Sequence, residues 1–156
     1  MAGTQNRSRP PGVIVTLYYE HVGRALDWLV GAFGFRERFR YGPEGAPQGA
    51  QLQAGDGAIM LSIARTGQSP NWEDSGKLGP PRPGEANVVV GIHVDDVDAV
   101  FARAKAFGAQ ILHEPQSYPF GERQFTAVDH AGYRWSFSQS VDDVTPESWG
   151  AQVPLP

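Results

Sequence analysis

The sequence predicts an α+β fold made of two tandem copies of one strand–helix–three-strand (βαβββ) unit. An internal repeat supports this, because Leu17 falls on Ile92 and Gly57 falls on Gly132, in each case 75 residues further along the chain. Composition supports it as well, since 19 of the 156 residues are Gly and 13 are Pro. These residues occur in clusters, which is typical of a fold with many short strands joined by turns. The prediction is therefore two βαβββ modules within one structural domain.

The first module is predicted over residues 13–64. Six of its first seven residues are β-branched or aromatic and indicate a strand. Val22, Leu26 and Phe33 then recur at helical spacing, and Gly34 follows where a left-handed C-cap glycine belongs. Three short strands are expected after this helix, at 35–41, 50–54 and 58–64.

The second module is predicted over residues 88–139 with the same order of elements. A strand at 88–94 leads to Asp95 and Asp96, which are suited to cap a helix that ends at Gly108. Three strands follow, at 110–114, 123–128 and 133–139. Gly/Asp turns at 54–57 and 129–132 stand before the last strand of each module.

The remaining segments are connections. Residues 1–12 are expected to form a flexible arm, 65–87 a Gly/Pro-rich connecting loop and 140–156 a C-terminal tail. No apolar run has the length of a membrane span, so we expect a cytoplasmic protein with no membrane partner. A net charge of −4 without a basic stripe argues against nucleic acid, and the absence of cysteine excludes disulfides and thiolate metal sites.

Four stretches carry a resemblance to a known family: VTLYYEHVGRALDWLVGAFGF, AQLQAGDGAIMLS, HVDDVDAVFARAKAFGA and VDHAGYRWSF. Together, over roughly residues 13–139, they resemble the vicinal oxygen chelate superfamily, which contains glyoxalase I, extradiol dioxygenases and bleomycin resistance proteins. The resemblance implies that the modules form a curled mixed sheet around a cleft, with the helices on the outside. It also implies a homodimer and, in many members, a divalent metal on the floor of the cleft.

The metal-ligand places of that superfamily fall, by the resemblance, on Ile14, Leu61, Val89 and Ser136. Divalent ions in proteins are held by His, Asp, Glu or thiolate groups. Three of these four residues have aliphatic side chains, and the hydroxyl of the fourth, a serine, is a poor ligand by itself. We therefore expect no metal and no cofactor.

Strand alternation selects the residues expected to face the cleft and bind a ligand. Three loop residues complete this set. The candidate ligand-binding residues are Ile14, Thr16, Tyr18, Leu61, Trp72, Val89, Gly91, His93, Phe120, Arg123 and Ser136. Phe39 and Tyr41 are further candidates for an aromatic lining, the alternative being core and lid packing. Tyr18 and His93 are candidates for a general base; the alternative for His93 is a half-buried histidine bonded to a neighbouring strand.

The expected function is a metal-free protein that binds a small aromatic or apolar organic compound, with a role in drug or antibiotic resistance implied by the resemblance. The alternative is a glyoxalase-like or dioxygenase-like enzyme, a lyase, isomerase or ring-cleaving catalyst, whose metal site is non-standard or absent. A regulatory module acting through a dimer interface is a third hypothesis. Whether the modules pair within one chain or between two chains stays open.

Overall fold

The structure is a computed structural model that describes residues 12–66 and 76–155, and it confirms two βαβββ modules. The first contains β1 (Val15–Tyr19), α1 (Val22–Phe33), β2 (Arg36–Tyr41), β3 (Gly49–Ala54) and β4 (Gly57–Ile63). Between the modules lie two short strands, β5 (Arg65–Thr66) and β6 (Lys77–Leu78). The second contains β7 (Val89–His93), α2 (Val97–Phe107), β8 (Gln110–Ser117), β9 (Glu122–Val128) and β10 (Arg134–Ser140). A 3₁₀ turn, Pro146–Trp149, follows in the tail.

Some of these elements were not expected. The small antiparallel ladder of β5 and β6 lies in the segment predicted as a loop, and β8 is three residues longer than the predicted strand at 110–114. The arm expected at 1–12 falls almost entirely outside the described residues.

Each module forms its own four-stranded mixed sheet. The strand orders are β1-β4-β3-β2 and β7-β10-β9-β8, with the first and last strands of each module parallel and the other pairs antiparallel. The parallel pairs are possible because each module's helix carries the chain from its first strand back across the sheet. Among the described residues, no strand pairing joins the two four-stranded sheets.

The turns before β4 and β10 differ by one residue. Ala54 pairs with Gly57 across a two-residue turn, whereas the backbone N–H of Asp129 bonds to the carbonyl of Tyr133 across a three-residue turn. Leu17 of β1 is consequently opposite Leu61, while its repeat partner in β7 is opposite Phe137. The last strands therefore match at an offset of 76 residues, and the expected equivalence of Leu61 with position 136 is wrong.

The two modules share one core on the helix-covered faces of the sheets. The ring of Phe33 in α1 lies 5.5 Å from that of Trp135 and 4.8 Å from that of Phe137, both in the other module. The helices also touch, because Gly31 leaves space for the ring of Phe107 against α1. Arg103 of α2 donates to the carbonyls of Val30 and Gly31, which satisfies acceptors at the end of α1. No helix in the described part of the chain is long and apolar enough to cross a membrane.

A buried carboxylate at the β9–β10 turn also connects the modules. Asp129 is 5% exposed and its Oδ2 accepts from the hydroxyl of Tyr19 in β1 at 2.7 Å and from the indole N–H of Trp135 at 3.2 Å. Its Oδ1 accepts from the backbone N–H groups of Ala131 and Tyr133. The charge is thus surrounded by four donors, the condition under which a buried carboxylate is tolerated.

Two turns dock against the opposite module. The hydroxyl of Tyr133 accepts from the backbone N–H of Tyr18 at 3.0 Å and donates to the carbonyl of the same residue at 2.8 Å. On the other side, Gly55 has a φ of +55°, and a Cβ there would lie 2.5 Å from the carbonyl oxygen of His93. The β3–β4 turn therefore needs glycine both for its backbone conformation and for this close approach.

We predict that Gly55→Ala destabilises the protein more than Gly45→Ala. Both glycines have positive φ, but nothing lies within 4 Å of a Cβ placed on Gly45. The Gly45 variant should lose about 1 kcal/mol for the left-handed conformation alone, and the Gly55 variant at least about 2 kcal/mol more for the displaced β7 backbone. Urea unfolding measures both free energies, and equal losses would contradict the docking of this turn.

A second prediction concerns Tyr19, whose pKa is raised well above its ordinary value, first by burial and then by the charge of Asp129. Because the folded-state pKa exceeds that of the unfolded chain, this group stabilises the fold at neutral pH and the contribution is lost as pH rises above about 10. Tyr19→Phe should lower the free energy of unfolding at pH 7 by about 1 to 3 kcal/mol and reduce its decline between about pH 10 and 11.

Urea unfolding at a series of pH values tests this second prediction. The matched control is Tyr41→Phe, because the Tyr41 hydroxyl bonds to no other described residue and its side chain is half exposed. This control should keep the stability of the parent protein at pH 7. If the free energy of unfolding of Tyr19→Phe falls as steeply above about pH 10 as that of the parent protein, Tyr19 is not the group responsible for the alkaline decline.

Candidate functional site

Each sheet has one face covered by the helices and one face on which no helix packs in the described part of the chain, and we call this second face its open face. The first open face has two rows of paired residues running from β1 to β2. One row is Thr16, Met60, Gln51 and Phe39, and the other is Tyr18, Ser62, Gly49 and Tyr41. Paired residues of adjacent strands point to the same side of a sheet, so these side chains share one surface.

The first open face is rich in aromatic and apolar groups. Phe39 is 48% exposed and Tyr41 is 49% exposed. The ring of Tyr41 lies across its strand partner Gly49, where any side chain would collide with it. Beneath them Gln51 is almost buried, and its amide lies 3.4 Å from the sulfur of Met60. The expectation that Phe39 and Tyr41 line the same surface as Tyr18 agrees with this arrangement.

The second open face is polar. Its three rows, from β7 to β8, are Val89, Arg134, Val128 and Gln110; Gly91, Ser136, Thr126 and His113; and His93, Ser138, Gln124 and Gln116. The Ser138 hydroxyl lies 3.4 Å from Nδ1 of His93, and the amide of Gln124 donates to Glu122 at 2.7 Å. His93 is exposed and bonds to a neighbouring strand, so this histidine is not half-buried as one of the alternatives expected.

Most of the strand residues predicted to bind a ligand lie on the open faces. Thr16 and Tyr18 are on the first, and Ile14, just before β1, has the same alternation. Val89, Gly91, His93 and Ser136 are on the second. The structure thus divides the predicted set between two surfaces, and places the two candidate bases, Tyr18 and His93, on different sheets.

Two of the expected orientations are wrong. Leu61 is fully buried on the helix-covered face beside Leu17, because the short β3–β4 turn shifts its register; Met60 takes the open-face position. Arg123 lies on the same side of β9 as the buried Phe125, and its guanidinium makes two 2.9 Å hydrogen bonds to Asp98 of α2. It therefore supports the start of a helix and does not point to the open face.

The remaining loop candidates stand apart. Phe120 is stacked on Tyr118 with ring centroids 5.1 Å apart and meets Trp149 of the tail edge-on at 5.9 Å, so its ring connects the tail to the β8–β9 loop. Trp72 lies outside the described residues. Strand alternation also predicts that Arg134 lies on the same face as Ser136, which the structure bears out, although the predicted ligand-binding set does not include this arginine. Sequence reasoning missed Met60, because its position depends on the register of β4.

A family model described as the glyoxalase/bleomycin resistance protein/dioxygenase superfamily matches residues 13–137. The chain belongs to this superfamily. An uncharacterised protein of Mycobacterium tuberculosis (strain ATCC 25618 / H37Rv) is 29% identical over 135 residues, which are 86% of this chain and 77% of the relative.

Solved structures of the superfamily share the fold. TioX from Micromonospora sp. ML1 is 34% identical, with a TM-score of 0.67 over 82% of this chain and 97% of that one. A glyoxalase/bleomycin resistance protein/dioxygenase from Nocardioides is 18% identical, with a TM-score of 0.62 over 94% and 91% of the two chains. Lactoylglutathione lyase from Agrobacterium tumefaciens is 17% identical, with a TM-score of 0.60 over 84% and 96%. The latter two similarities concern the fold alone.

The residues of this chain do not fit the divalent metal found in many superfamily members. With the register corrected, the four ligand places hold Ile14, Met60, Val89 and Ser136, which provide two aliphatic groups, a thioether and one hydroxyl. Among the residues that the structure describes, no group of three His, Cys, Asp or Glu side chains could hold a metal ion. A hard or borderline divalent ion would lack anionic or imidazole ligands at these places.

We predict that Leu61→Ala and Met60→Ala, adjacent truncations in β4, have different effects. Leu61 is completely buried in the shared core, so its truncation should lower the free energy of unfolding by about 2 to 5 kcal/mol. Met60 is only half-buried on the open face and should cost clearly less. Urea unfolding of both variants checks the register; a larger loss for Met60→Ala would show that the two faces are assigned the wrong way round.

Proposed function

We propose that the protein is a metal-free small-molecule-binding member of the superfamily that sequesters an aromatic or apolar organic compound. The observation that carries the proposal is the uncovered aromatic surface of the first open face. Phe39 and Tyr41, each about half exposed, share this face with Met60, two strands away, on a sheet whose other face is closely packed. Exposed aromatic side chains grouped on a rigid sheet are typical of a ligand surface.

The energetic contribution of such a surface comes from burial. Covering about 100 Å² of apolar area contributes about 2.5 kcal/mol, so stacking of a flat ring system across Phe39 and Tyr41 favours binding without any metal. The sheet holds these rings in place, because Tyr41 lies on Gly49 and Gln51 is almost buried beneath Phe39 and Met60. Little side-chain freedom is then lost when a ligand arrives.

We propose further that the cleft is completed in a homodimer. In one chain the helix-covered faces of the sheets meet in the shared core, and Phe39 on the first open face and Val89 on the second are both left about half exposed. In the proposed dimer, the first open face of one copy lies opposite the second open face of the other. A ligand between them would be enclosed by an aromatic wall and a polar wall. Resemblance to superfamily homodimers supports this arrangement.

The polar wall suits orientation of a bound compound. His93, Ser138 and Gln124 form one row and Ser136 and Thr126 belong to the next, so hydroxyl, amide and imidazole groups face the ligand. A few polar groups beside an apolar surface are the usual composition of a small-molecule pocket. Because the metal-ligand places lack suitable donors, the proposed function includes no Lewis-acid step.

We predict that the protein binds 2-naphthamide, a neutral flat aromatic probe, in a way that depends on the first open face. Phe39→Ala should weaken binding about tenfold, since a buried aromatic contact of this size contributes on the order of 1 to 3 kcal/mol. Fluorescence titration or equilibrium dialysis gives the dissociation constant, and added EDTA should leave it unchanged. Light scattering of the purified protein should give twice the mass of the chain.

Phe107→Ala is the matched control, because Phe107 is also 48% exposed but lies on α2, away from the open faces. Its affinity for the probe should equal that of the parent protein. Equal losses in the two variants would remove the assignment of the binding surface. Loss of binding with EDTA would contradict the metal-free proposal, and a monomeric mass would contradict the dimer.

A further inference from the structure

A cavity lies at the end of the second open face, beneath the loop that joins β6 to β7. Its volume is about 860 Å³, and its walls include Lys77, Pro80, Pro81, Arg82, Glu85 and Arg134. A smaller cavity of about 380 Å³ lies on the other side of the same loop and shares Arg82, Glu85 and Arg134 with it. Arg134 also belongs to the open-face row that contains Val128 and Gln110, and these two residues line the smaller cavity together with Arg134. Arg134 therefore borders both cavities and the second open face.

The charge in the larger cavity is opposite to that of the whole protein. Lys77, Arg82 and Arg134 face one carboxylate, Glu85, whereas the chain has a net charge of −4. None of these three cationic side chains forms a hydrogen bond or ion pair with another residue in 12–66 or 76–155. Unpaired guanidinium groups that line a concave site are suited to a carboxylate or a phosphate, whose oxygens match the planar donors of arginine.

The loop that carries Arg82 is held in place. The carbonyl oxygen of Gly79 lies 3.2 Å from the hydroxyl oxygen of Tyr133. Within the loop, the backbone N–H of Glu85 donates to the carbonyl of Arg82 at 2.9 Å. Pro81 packs against the β9–β10 turn, where a Cβ on Gly132 would lie 3.4 Å from its ring. Proline restricts the backbone further. The cationic groups thus stand on a wall that is formed before a ligand binds, which favours affinity.

We propose that this cavity recognises a single anionic group, a carboxylate or a phosphate, on the organic ligand. The inference deepens the proposed function and rests on it, since the ring system of the same ligand would lie along the open faces. Glu85 offsets one of the three positive charges, and the net charge of two that remains favours binding of a carboxylate or a phosphate. The ligand would then be an aromatic organic anion. Arg134 lies between the open face and the cavity, and it would be the residue that selects the charge.

The experiment compares 2-naphthoate with 2-naphthamide, which have the same ring system and differ in charge, and includes inorganic phosphate as a third probe. The parent protein should bind the naphthoate about tenfold more tightly, the effect of one charge-assisted hydrogen bond. Arg134→Gln should remove this preference, because it should weaken naphthoate binding about tenfold more than naphthamide binding. Lys105→Gln, which removes an exposed charge on α2, should keep it. Added salt should reduce the preference because the arginines are partly exposed.

The possible results separate this inference from the proposed function. Equal binding of the two naphthyl compounds by the parent protein, or a preference that survives Arg134→Gln, overturns the anion site and leaves the aromatic surface standing. Binding of phosphate that Arg134→Gln abolishes, with neither naphthyl compound bound, supports the anion site and overturns the aromatic ligand. No binding of any of the three probes overturns both.

Discussion

The hydrogen bonds of Asp129 set the relation between the two modules, and the rest of the structure depends on that relation. One carboxylate in a tight turn of the second module accepts from Tyr19 of the first module and from Trp135 of its own sheet. Since a buried charge is costly unless donors surround it, this arrangement strongly disfavours any docking in which Tyr19 is displaced. The neighbouring Tyr133 then bonds to the β1 backbone at Tyr18, so the same turn fixes the edge of the first sheet. The orientation of both open faces follows from this contact.

The two sheets share a topology, and the length of the turn before each last strand decides which side chains of that strand reach the open face. A side chain alternates between faces at every residue along a strand, so a register shift of one exchanges core and surface positions. The two-residue turn at Gly55 and Asp56 places Leu61 in the core and Met60 on the open face. The three-residue turn of the second module places Trp135 in the core and Ser136 on the open face. Both last strands thus keep their large apolar residues in the core, and the open faces differ because Met60 stands in one sheet where Ser136 stands in the other.

The sequence predicted what depends on local signals. Both helices, the αL glycines Gly34 and Gly108 that end them and the cap at Asp96 follow from short-range spacing, and the structure has them. The open-face positions on β1 and β7 were predicted correctly for the same reason, because the alternation of side chains along a strand does not depend on the neighbouring strand. Leu61 and Arg123 could not be placed, because their orientation depends on turn geometry in one case and on a long-range ion pair to Asp98 in the other. The cavity proposed to bind an anion could not be predicted either, because Lys77, Arg82 and Arg134 come together only when the proline-rich loop before β7 packs against the β9–β10 turn.

A superfamily member whose ligand places lack metal donors needs other means to orient a bound compound. Apolar contact with Phe39 and Tyr41 is non-directional and would let a flat ring slide along the sheet. Direction must come from groups with fixed geometry, and the second open face has these in its rows of hydroxyl and amide side chains and in Arg134 at one end. An arginine can orient an anionic group because its planar donors form hydrogen bonds of fixed geometry. In the proposed complex, the aromatic wall would therefore supply most of the burial, and Arg134 with the polar rows would set the direction in which the ligand lies.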